Sequence, residues 1–318
     1  VLALYHDCLL PVLNGLPFLE LEASESTKTL EGVGRTASFF SEHRLNRTST
    51  VLSIGGGIIQ DVVTFTAHSY HRGLRWAFVP TTLLSQSDSC IGAKCGINLG
   101  TFKNQLGVFH STASIFISSI FLDTLPQEAV CSGMGEVLKL MLTGYTDGLD
   151  RFRVSVERHG LLGPETAELI QDSLQAKKIV IEADEYETGL RQILNYGHTF
   201  GHALETLTSH AVPHGVAVAW GMDLVNTLAV SRGWLDDATA AAVREVIQTY
   251  LKPRRPSDLS SSDLLEVARK DKKATRDQLT LAVLKAPGRV ERETIPFDVK
   301  LLEDIEAFLK HTDVSDRY

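Results

Sequence analysis

The chain of 318 residues carries a net charge of −8, and 43% of its residues are hydrophobic. It is too long for one ordinary core, so we expect two domains of a soluble, globular protein. The negative charge argues against a broad nucleic-acid surface, and no apolar run reaches the roughly 18–20 residues that span a bilayer. Four cysteines without CxxC spacing predict reduced thiols in a cytoplasmic protein.

The first 125 residues alternate strand-like and helical patterns. Residues 1–5 predict a strand with no basic stretch before it, so we expect no signal peptide. A domain that opens directly on a strand also indicates that some N-terminal sequence is absent or very short. Apolar strands are also predicted at 51–54 and 76–79, and the first of these two runs into Gly55–Gly57 ahead of a predicted helix. This order is typical of nucleotide-binding domains, although three glycines also suit a tight turn.

A glycine-rich segment at 88–104 follows, and it contains lysines and asparagines. Arg72 and Arg75 lie just upstream. Cationic donors beside glycines suit a phosphorylated or carboxylated ligand. The alternative is a solvated loop.

From residue 126 onward long helical patterns dominate. We therefore expect an α/β domain at 1–125 and a helical domain at 126–318. Helices are predicted at 129–143, 164–182, 198–208, 215–231, 236–251 and 262–268. A single late strand is predicted at 279–284.

Glu136 and Lys139 occupy one face of the first of these helices. Pairs at this spacing are usually weak surface ion pairs. Gly133 and Gly135 precede the pair in a helix that does not otherwise need glycine, which favours a functional role.

Histidines cluster at His198, His202 and His214. Such residues are often only hydrogen-bonded polar groups, but imidazole also suits zinc, and the first two would share a helical face. Positions 191, 195, 198 and 202 step by four, three and four. One helix would therefore align Arg191, Asn195 and both histidines in a stripe that makes a poor core face, which favours a functional surface.

Together these motifs resemble the dehydroquinate synthases and, more broadly, the sugar phosphate cyclases. The resemblance covers about 25–290. Its motifs include GGGxxxD from Gly55, PTTLL from Pro80, GxxEVxK from Gly133, GHTxGHAxE from Gly197 and DKK from Asp271. It implies a Rossmann-like α/β N-terminal domain that holds NAD and an all-α C-terminal domain that holds Zn²⁺ or Co²⁺, with the active site between them.

The resemblance also implies a role for each matching residue. The metal ligands would be Glu136, His198 and His214, and His202 would act on the substrate side or in proton transfer. NAD contacts would be Glu25, Lys28, Gly55, Gly56, Gly57, Asp61, Thr81, Thr82, Asp88, Lys103 and Thr124. Substrate contacts would be Lys94, Asn104, Lys139, Lys177, Arg191, Asn195 and one lysine of the DKK motif, Lys272 or Lys273. Arg72 matches an arginine that reaches the substrate phosphate across a homodimer.

The implied reaction converts a heptulosonate 7-phosphate into a carbocycle by transient oxidation, phosphate elimination, re-reduction and aldol closure. Ala93 and Cys95 depart from the usual motif. The GAK sequence at 92–94 and the NxGxxKN loop at 98–104 look more like secondary-metabolism cyclases that act on sedoheptulose 7-phosphate or glucose 6-phosphate. The set expected around a carboxylated substrate is present, however. It consists of Lys177, Arg191, Asn195 and His202.

Two other classes stay open. A metal- and NAD-dependent alcohol dehydrogenase could share this architecture, but the lysine-rich 94–104 segment favours a phosphate. A non-catalytic descendant would be expected to lack a metal ligand or Lys139, and the sequence retains them all.

Overall fold

The computed structural model describes residues 1–100, 102–270 and 277–312. The chain divides into two compact units, Val1–Pro126 and Gln127–Tyr318. The first unit is α/β and the second is mainly helical, which agrees with the predicted fold class. In the described residues, no helix is both long enough and apolar enough to cross a membrane.

The first unit is built around a small parallel sheet. Its elements are, in chain order, α1 (His6–Leu13), α2 (Leu30–Glu42), β1 (Thr50–Gly55), α3 (Gly57–Ser69), β2 (Arg75–Pro80), β3 (Lys94–Leu99), β4 (Phe102–Phe109) and β5 (Ser114–Ile115). Strands β1 and β2 run parallel, with Gly55 opposite Pro80, and β5 continues the sheet beside β2. The carboxyl ends of β1 and β2 therefore meet at one edge.

One expectation for this unit is wrong, and one alternative has to be revised. Residues 1–5 form a turn instead of a strand, because the carbonyl of Val1 accepts the amides of Leu4 at 3.1 Å and Tyr5 at 3.0 Å. Helix α1 begins immediately afterwards. The 88–104 segment is not merely a solvated loop, because β3 and β4 form an antiparallel hairpin that places Lys94 opposite Phe109.

The second unit is a helical bundle with one β-hairpin. Its elements are α4 (Gln127–Gly144), α5 (Gly148–His159), α6 (Thr166–Ala183), α7 (His198–Leu207), α8 (His214–Ser231), α9 (Asp237–Val246), α10 (Ser261–Ala268), β6 (Gln278–Ala286), β7 (Arg289–Pro296) and α11 (Val299–His311). The predicted helices are confirmed to within a few residues, except that α9 gives way to a π-helical turn at Ile247–Leu251. The late strand is confirmed as β6, and its antiparallel partner β7 was not predicted.

Helix α8 forms the centre of this unit and packs on α4 and α7. Trp220 and Met222 are fully buried in it. The helices approach closely enough to exclude side chains. A Cβ on Gly135 would overlap the carbonyl oxygen of Gly215, and one on Gly221 would overlap that of Gly197. Gly135 in α4 is thus explained by packing against α8.

Candidate active site

The glycine turn of the first unit lies between β1 and α3. Gly56 is the N-cap residue of α3 and has no side chain with which to cap it. The amide of Thr81 donates to the carbonyl of Gly55 at 2.9 Å, and a Cβ on Gly56 would overlap Thr82. The turn and the two threonines therefore share the edge where β1 and β2 end. Bare backbone at a helix N-terminus is suited to phosphate.

Four charged residues predicted to contact the cofactor form one network in this unit. Lys28 pairs with Asp61 at 2.5 Å, and the Lys103 ammonium lies 3.5 Å from a Glu25 oxygen. Asn98 of β3 joins them, because its side chain donates to Glu25 at 2.8 Å and its amide donates to the carbonyl of Lys28 at 2.9 Å. The network ties the segment before α2 to α3 and to the β3–β4 hairpin.

The two carboxylates of this network differ in acidity. Burial raises the pKa of Asp61, and the charge of Lys28 and a hydrogen bond from the Gly96 amide only partly oppose it. Burial also raises the pKa of Glu25, but the hydrogen bond from Asn98 and the charges of Lys103 and Lys28 outweigh it, so the net shift is downward. The fold therefore favours the ionised form of Glu25 and disfavours that of Asp61.

Two predicted substrate contacts lie on the hairpin. Lys94 is the first residue of β3 and is exposed. Asn104 lies in β4 with a φ of 53°, and its amide donates to the Asn98 side chain at 3.0 Å. Ala93, which precedes Lys94, has a φ of 59°, in the left-handed region that favours glycine.

Three other predicted residues lie elsewhere in the first unit. Arg72 ends a short 3₁₀ turn between α3 and β2, where it is exposed and has a φ of 63°. Asp88 lies in a π-helical turn after the two threonines. The hydroxyl of Thr124 lies 2.8 Å from that of Tyr5.

In the second unit, Glu136 and Lys139 form a buried ion pair on α4. Their side chains are 1% and 3% exposed. The interpretation as a surface ion pair is therefore wrong for this pair. Two ionised groups this deep need strong compensation, which makes the pair a candidate functional element.

Three histidines gather beside Glu136. The Nε2 atom of His214 lies 3.3 Å from Oε1 of Glu136, and that of His198 lies 3.7 Å from the same oxygen. One ring nitrogen from each of His198, His202 and His214 lies within 4.8 Å of the other two, so these three could also hold a metal ion. The i, i+4 relation of the first two is confirmed, since their ring centroids are 5.3 Å apart on α7.

Each of two histidines has a second contact through its other nitrogen. Nδ1 of His198 lies 3.2 Å from the carbonyl of Tyr196, and Nδ1 of His214 lies 3.0 Å from a Glu205 oxygen. Burial alone would lower the pKa of His214, but hydrogen bonds and charges from Glu136 and Glu205 raise it to about 10. In this state the imidazole holds a proton at neutral pH, at a position that a metal cation could occupy instead.

The stripe from Arg191 to His202 is not a single helix, so that expectation is wrong. A 3₁₀ helix spans Leu190–Asn195, and α7 starts at His198. Gly197 between them has a φ of 80°, and this left-handed residue interrupts the helical path.

Acidic residues upstream hold this bend in place. Asp184 accepts the amides of Thr188 at 2.9 Å, Gly189 at 2.8 Å and Arg191 at 3.0 Å. These hydrogen bonds lower the pKa of Asp184 to about 2. The Asn195 side chain donates to Glu187 at 3.0 Å.

The cationic residues predicted to contact substrate are buried in the same unit. Lys177 of α6 and Arg191 are 8% and 3% exposed. The Arg191 guanidinium donates to the carbonyl of Glu185. Leu140 of α4, Val180 of α6 and Leu194 pack in one core cluster, so the segments that carry these residues are neighbours. Lys272 and Lys273 lie outside the described residues.

Sequence reasoning missed Glu205, Asp184 and Glu187 as parts of the site. Glu205 could have been found, because it follows His198 by seven residues and therefore shares its face of α7. The other two act through hydrogen bonds to a bend, and residue spacing did not reveal that bend.

The side chains present fit a divalent metal ion. Two imidazole nitrogens face one buried carboxylate oxygen, and a His₂–carboxylate set is a common ligand set for zinc and suits cobalt. Fold and site together define a class: a protein with an α/β unit that carries a phosphate-type glycine turn and a helical unit that carries a His₂–carboxylate cluster.

Comparison with known proteins identifies the family. The family model described as 3-dehydroquinate synthase N-terminal matches residues 18–132, and its C-terminal counterpart matches 133–274. The 3-dehydroquinate synthase of Crocosphaera subtropica is 37% identical over 295 residues, which cover 90% of this chain and 80% of that protein. The chain belongs to the dehydroquinate synthase family.

Solved structures of sugar phosphate cyclases have the same fold. The 2-epi-5-epi-valiolone synthase of Streptomyces hygroscopicus, with NAD⁺ and Zn²⁺ bound, matches with a TM-score of 0.83 and 25% identity over 98% of this chain and 88% of that chain. A 2-deoxy-scyllo-inosose synthase complexed with carbaglucose-6-phosphate, NAD⁺ and Co²⁺ matches with a TM-score of 0.79 and 24% identity over 92% and 82%. These findings support an enzyme of the sugar phosphate cyclase kind.

Proposed function

We propose that this protein is a 3-dehydroquinate synthase-type cyclase that converts a heptulosonate 7-phosphate into a carbocycle with release of phosphate. The observation that carries the proposal is the contact of His198 and His214 with the buried carboxylate of Glu136, which is also paired to Lys139. The named activity of the relatives at 37% identity supports the same class.

We propose that Zn²⁺ or Co²⁺ is held by Glu136, His198 and His214. Bound there, the ion would supply Lewis-acid polarisation of a substrate oxygen. Lys139 would hold or move a proton beside that oxygen, since it already forms an ion pair with Glu136 in a buried setting. His202 stacks on His214 at a centroid distance of 5.7 Å and is exposed, so it could act from the substrate side.

Substrate recognition would use the cations and the amide around this cluster. Lys177 and Arg191 are buried donors suited to the carboxylate of a heptulosonate, and Asn195 would orient a hydroxyl. Lys94, Asn104 and Lys273 belong to the proposed substrate set as well. The expected homodimer, with Arg72 reaching the phosphate of the neighbouring copy, is part of this proposal.

NAD would be held by the first unit. Its glycine turn presents bare backbone at the N-terminus of α3, beside Thr81 and Thr82. The network of Glu25, Lys28, Asp61 and Lys103 would contact the rest of the cofactor, with Asp88 and Thr124. When bound, NAD supplies the hydride acceptor and returns the hydride within the same cycle.

The test is phosphate release, with the carbocycle identified by mass spectrometry. The heptulosonate 7-phosphate, sedoheptulose 7-phosphate and glucose 6-phosphate are compared. We expect turnover of the heptulosonate with no net NADH. Turnover of only a neutral sugar phosphate would contradict the heptulosonate as the substrate, but the protein would still be a sugar phosphate cyclase. Net NADH from a simple alcohol, without phosphate release, would favour the dehydrogenase instead.

Replacement of a ligand tests the site directly. We expect His214→Ala to lose stoichiometric metal and all measurable phosphate release, because one of three proposed ligands is gone. His159→Ala is the matched control, since His159 also contacts a glutamate but belongs to the α5–α6 region. Activity retained by His214→Ala would contradict the ligand assignment.

A further inference from the structure

Glu205 lies behind one of the proposed metal ligands, and the proposed function assigns it no role. Its Oε2 atom is 3.0 Å from Nδ1 of His214, and its side chain is 11% exposed. Its Oε1 atom lies 4.0 Å from Nδ1 of His210. The carboxylate is therefore largely withdrawn from solvent and faces imidazole nitrogens.

The backbone path explains this contact. Glu205 follows His198 by seven residues on α7, so both side chains leave the same face of the helix. After α7 the chain turns back through Ser209 and His210, which have φ values of 49° and 63°. His214 then begins α8, which brings its ring against the helix that carries Glu205.

The contact fixes the state and the direction of the His214 ring. A carboxylate at Nδ1 favours a proton on that nitrogen, so Nε2 is the nitrogen that would offer its lone pair when a metal ion takes the place of the second proton. Nε2 is the atom that faces Glu136, at 3.3 Å. The rings of His198 and His202 also contact the His214 ring, at centroid distances of 5.5 and 5.7 Å, but Glu205 is the group that contacts Nδ1 and so sets which nitrogen faces Glu136.

The two proposed histidine ligands differ in this respect. His198 contacts a neutral acceptor, the carbonyl of Tyr196, whereas His214 contacts a carboxylate. A carboxylate partner raises the basicity of the far nitrogen more than a carbonyl does. We infer that Glu205 is the positioning residue that orients and strengthens His214 as a ligand. This inference rests on the proposed metal site.

The test measures metal affinity with Co²⁺ as the probe. Metal-free full-length protein is titrated against a chelator, and the visible absorption of the bound Co²⁺ is recorded. Glu205→Gln keeps a hydrogen-bond acceptor but removes the charge, and Glu205→Ala removes both. We expect about 10- to 100-fold weaker binding for Glu205→Ala, a smaller loss for Glu205→Gln, and altered Co²⁺ absorption in both.

Glu165→Gln is the matched control. Glu165 contacts Nδ1 of His159 at 2.7 Å in the same unit, so it forms the same type of pair away from the histidine cluster. It should bind Co²⁺ like the parent. Thermal melting of the metal-free proteins checks folding, and Glu205→Gln, which nearly preserves shape, carries the test if Glu205→Ala unfolds.

The possible failures can be told apart. If the parent binds Co²⁺ and both Glu205 variants bind it equally well with unchanged absorption, the role of Glu205 is contradicted while the site stands. If the parent binds no Co²⁺, or if His214→Ala binds it as tightly as the parent, the proposed site fails and the inference fails with it.

Discussion

The two units assemble their polar clusters in opposite ways. In the first, unlike charges meet in pairs, Lys28 with Asp61 and Lys103 with Glu25, and each pair joins segments far apart in sequence. In the second, two imidazole nitrogens face one Glu136 oxygen. The first network pairs each charge with an opposite charge, whereas the second is the proposed place for a metal ion.

The supporting structure differs as well. The second cluster depends on helices packed through glycine, and the first depends on charge between loops and a hairpin. Changes in packing should therefore act mainly on the second unit, and changes in charge mainly on the first.

The largest effect is expected from Gly135→Ala in the second unit. Its new methyl group would overlap the carbonyl of Gly215 and push α4, with Glu136, away from α8, with His214. We expect a loss of about 3 kcal/mol, at the upper end for overpacking, because the opposing atom is backbone. Urea unfolding and Co²⁺ binding measure the two consequences.

Gly34→Ala on α2 is the control for that change. No atom lies within 4 Å of its added Cβ, so we expect unchanged stability or a gain of about 0.5–1 kcal/mol. If Gly135→Ala unfolded at the same urea concentration as the parent, the close approach of the helices would not be what holds the second cluster.

A smaller effect is expected from Lys28→Met in the first unit. It leaves Asp61 without its ammonium partner. The two side chains are 11% and 17% exposed. We expect a loss of about 2 kcal/mol, less than the roughly 3–5 kcal/mol for a fully buried pair. Urea unfolding at two salt concentrations measures it.

The double variant Lys28→Met, Asp61→Asn sharpens this result. It removes both charges, and the amide oxygen can still accept the Gly96 amide that Asp61 accepts at 3.2 Å. We expect it to be more stable than Lys28→Met alone. Equal stability of the two variants would mean that the Lys28–Asp61 pair contributes little to the free energy of unfolding. The stability of the first unit would then depend less on charge than the comparison with the second unit assumes.

The smallest effect is a pH dependence at the bend before α7. The fold lowers the pKa of Asp184 from 3.8 to about 2, so its ionised form is favoured in the folded state. That contribution is present above about pH 4 and is lost as the pH falls toward 2. Asp184→Asn should therefore be less stable than the parent at pH 6, and the difference should shrink between pH 4 and pH 2.

Urea midpoints across this pH range measure the effect. Asp236→Asn is a useful comparison, because Asp236 caps α9 and its pKa is also lowered by hydrogen bonds, yet it lies away from the histidines. A constant gap between Asp184→Asn and the parent at every pH would contradict the proposed hydrogen-bonded role of the ionised carboxylate.

Local patterns predicted much of the fold. The β1–α3 glycine turn and helices α4, α7 and α8 follow from apolar periodicity and glycine placement, and these are the elements that carry the candidate site. Strand β7 was not predicted because charged residues fill half of its positions. The β3–β4 hairpin was not predicted, because its glycines, lysines and asparagines interrupt the alternation of apolar and polar residues that indicates a strand.

The candidate site itself was only partly accessible from sequence. The i, i+4 spacing of His198 and His202 was visible, but the bend at Gly197 was not, because counting residues assumes a continuous helix. Lys28–Asp61 and Glu205–His214 are contacts made through space, and neither follows from a helical or strand period. Resemblance to a family supplied Glu136 as a partner, where spacing alone left the carboxylate open.

Ala93 carries a consequence for the unfolded chain. It adopts a φ of 59° just before Lys94, and its carbonyl accepts the amide of His110 at 2.8 Å. A glycine there would enter this conformation freely, but it would also have more conformations to lose on folding. Alanine at this position costs some backbone strain in the folded state, but it leaves the unfolded chain fewer conformations to lose. The backbone before Lys94 is therefore more restricted than that of a Gly-Gly-Lys segment would be.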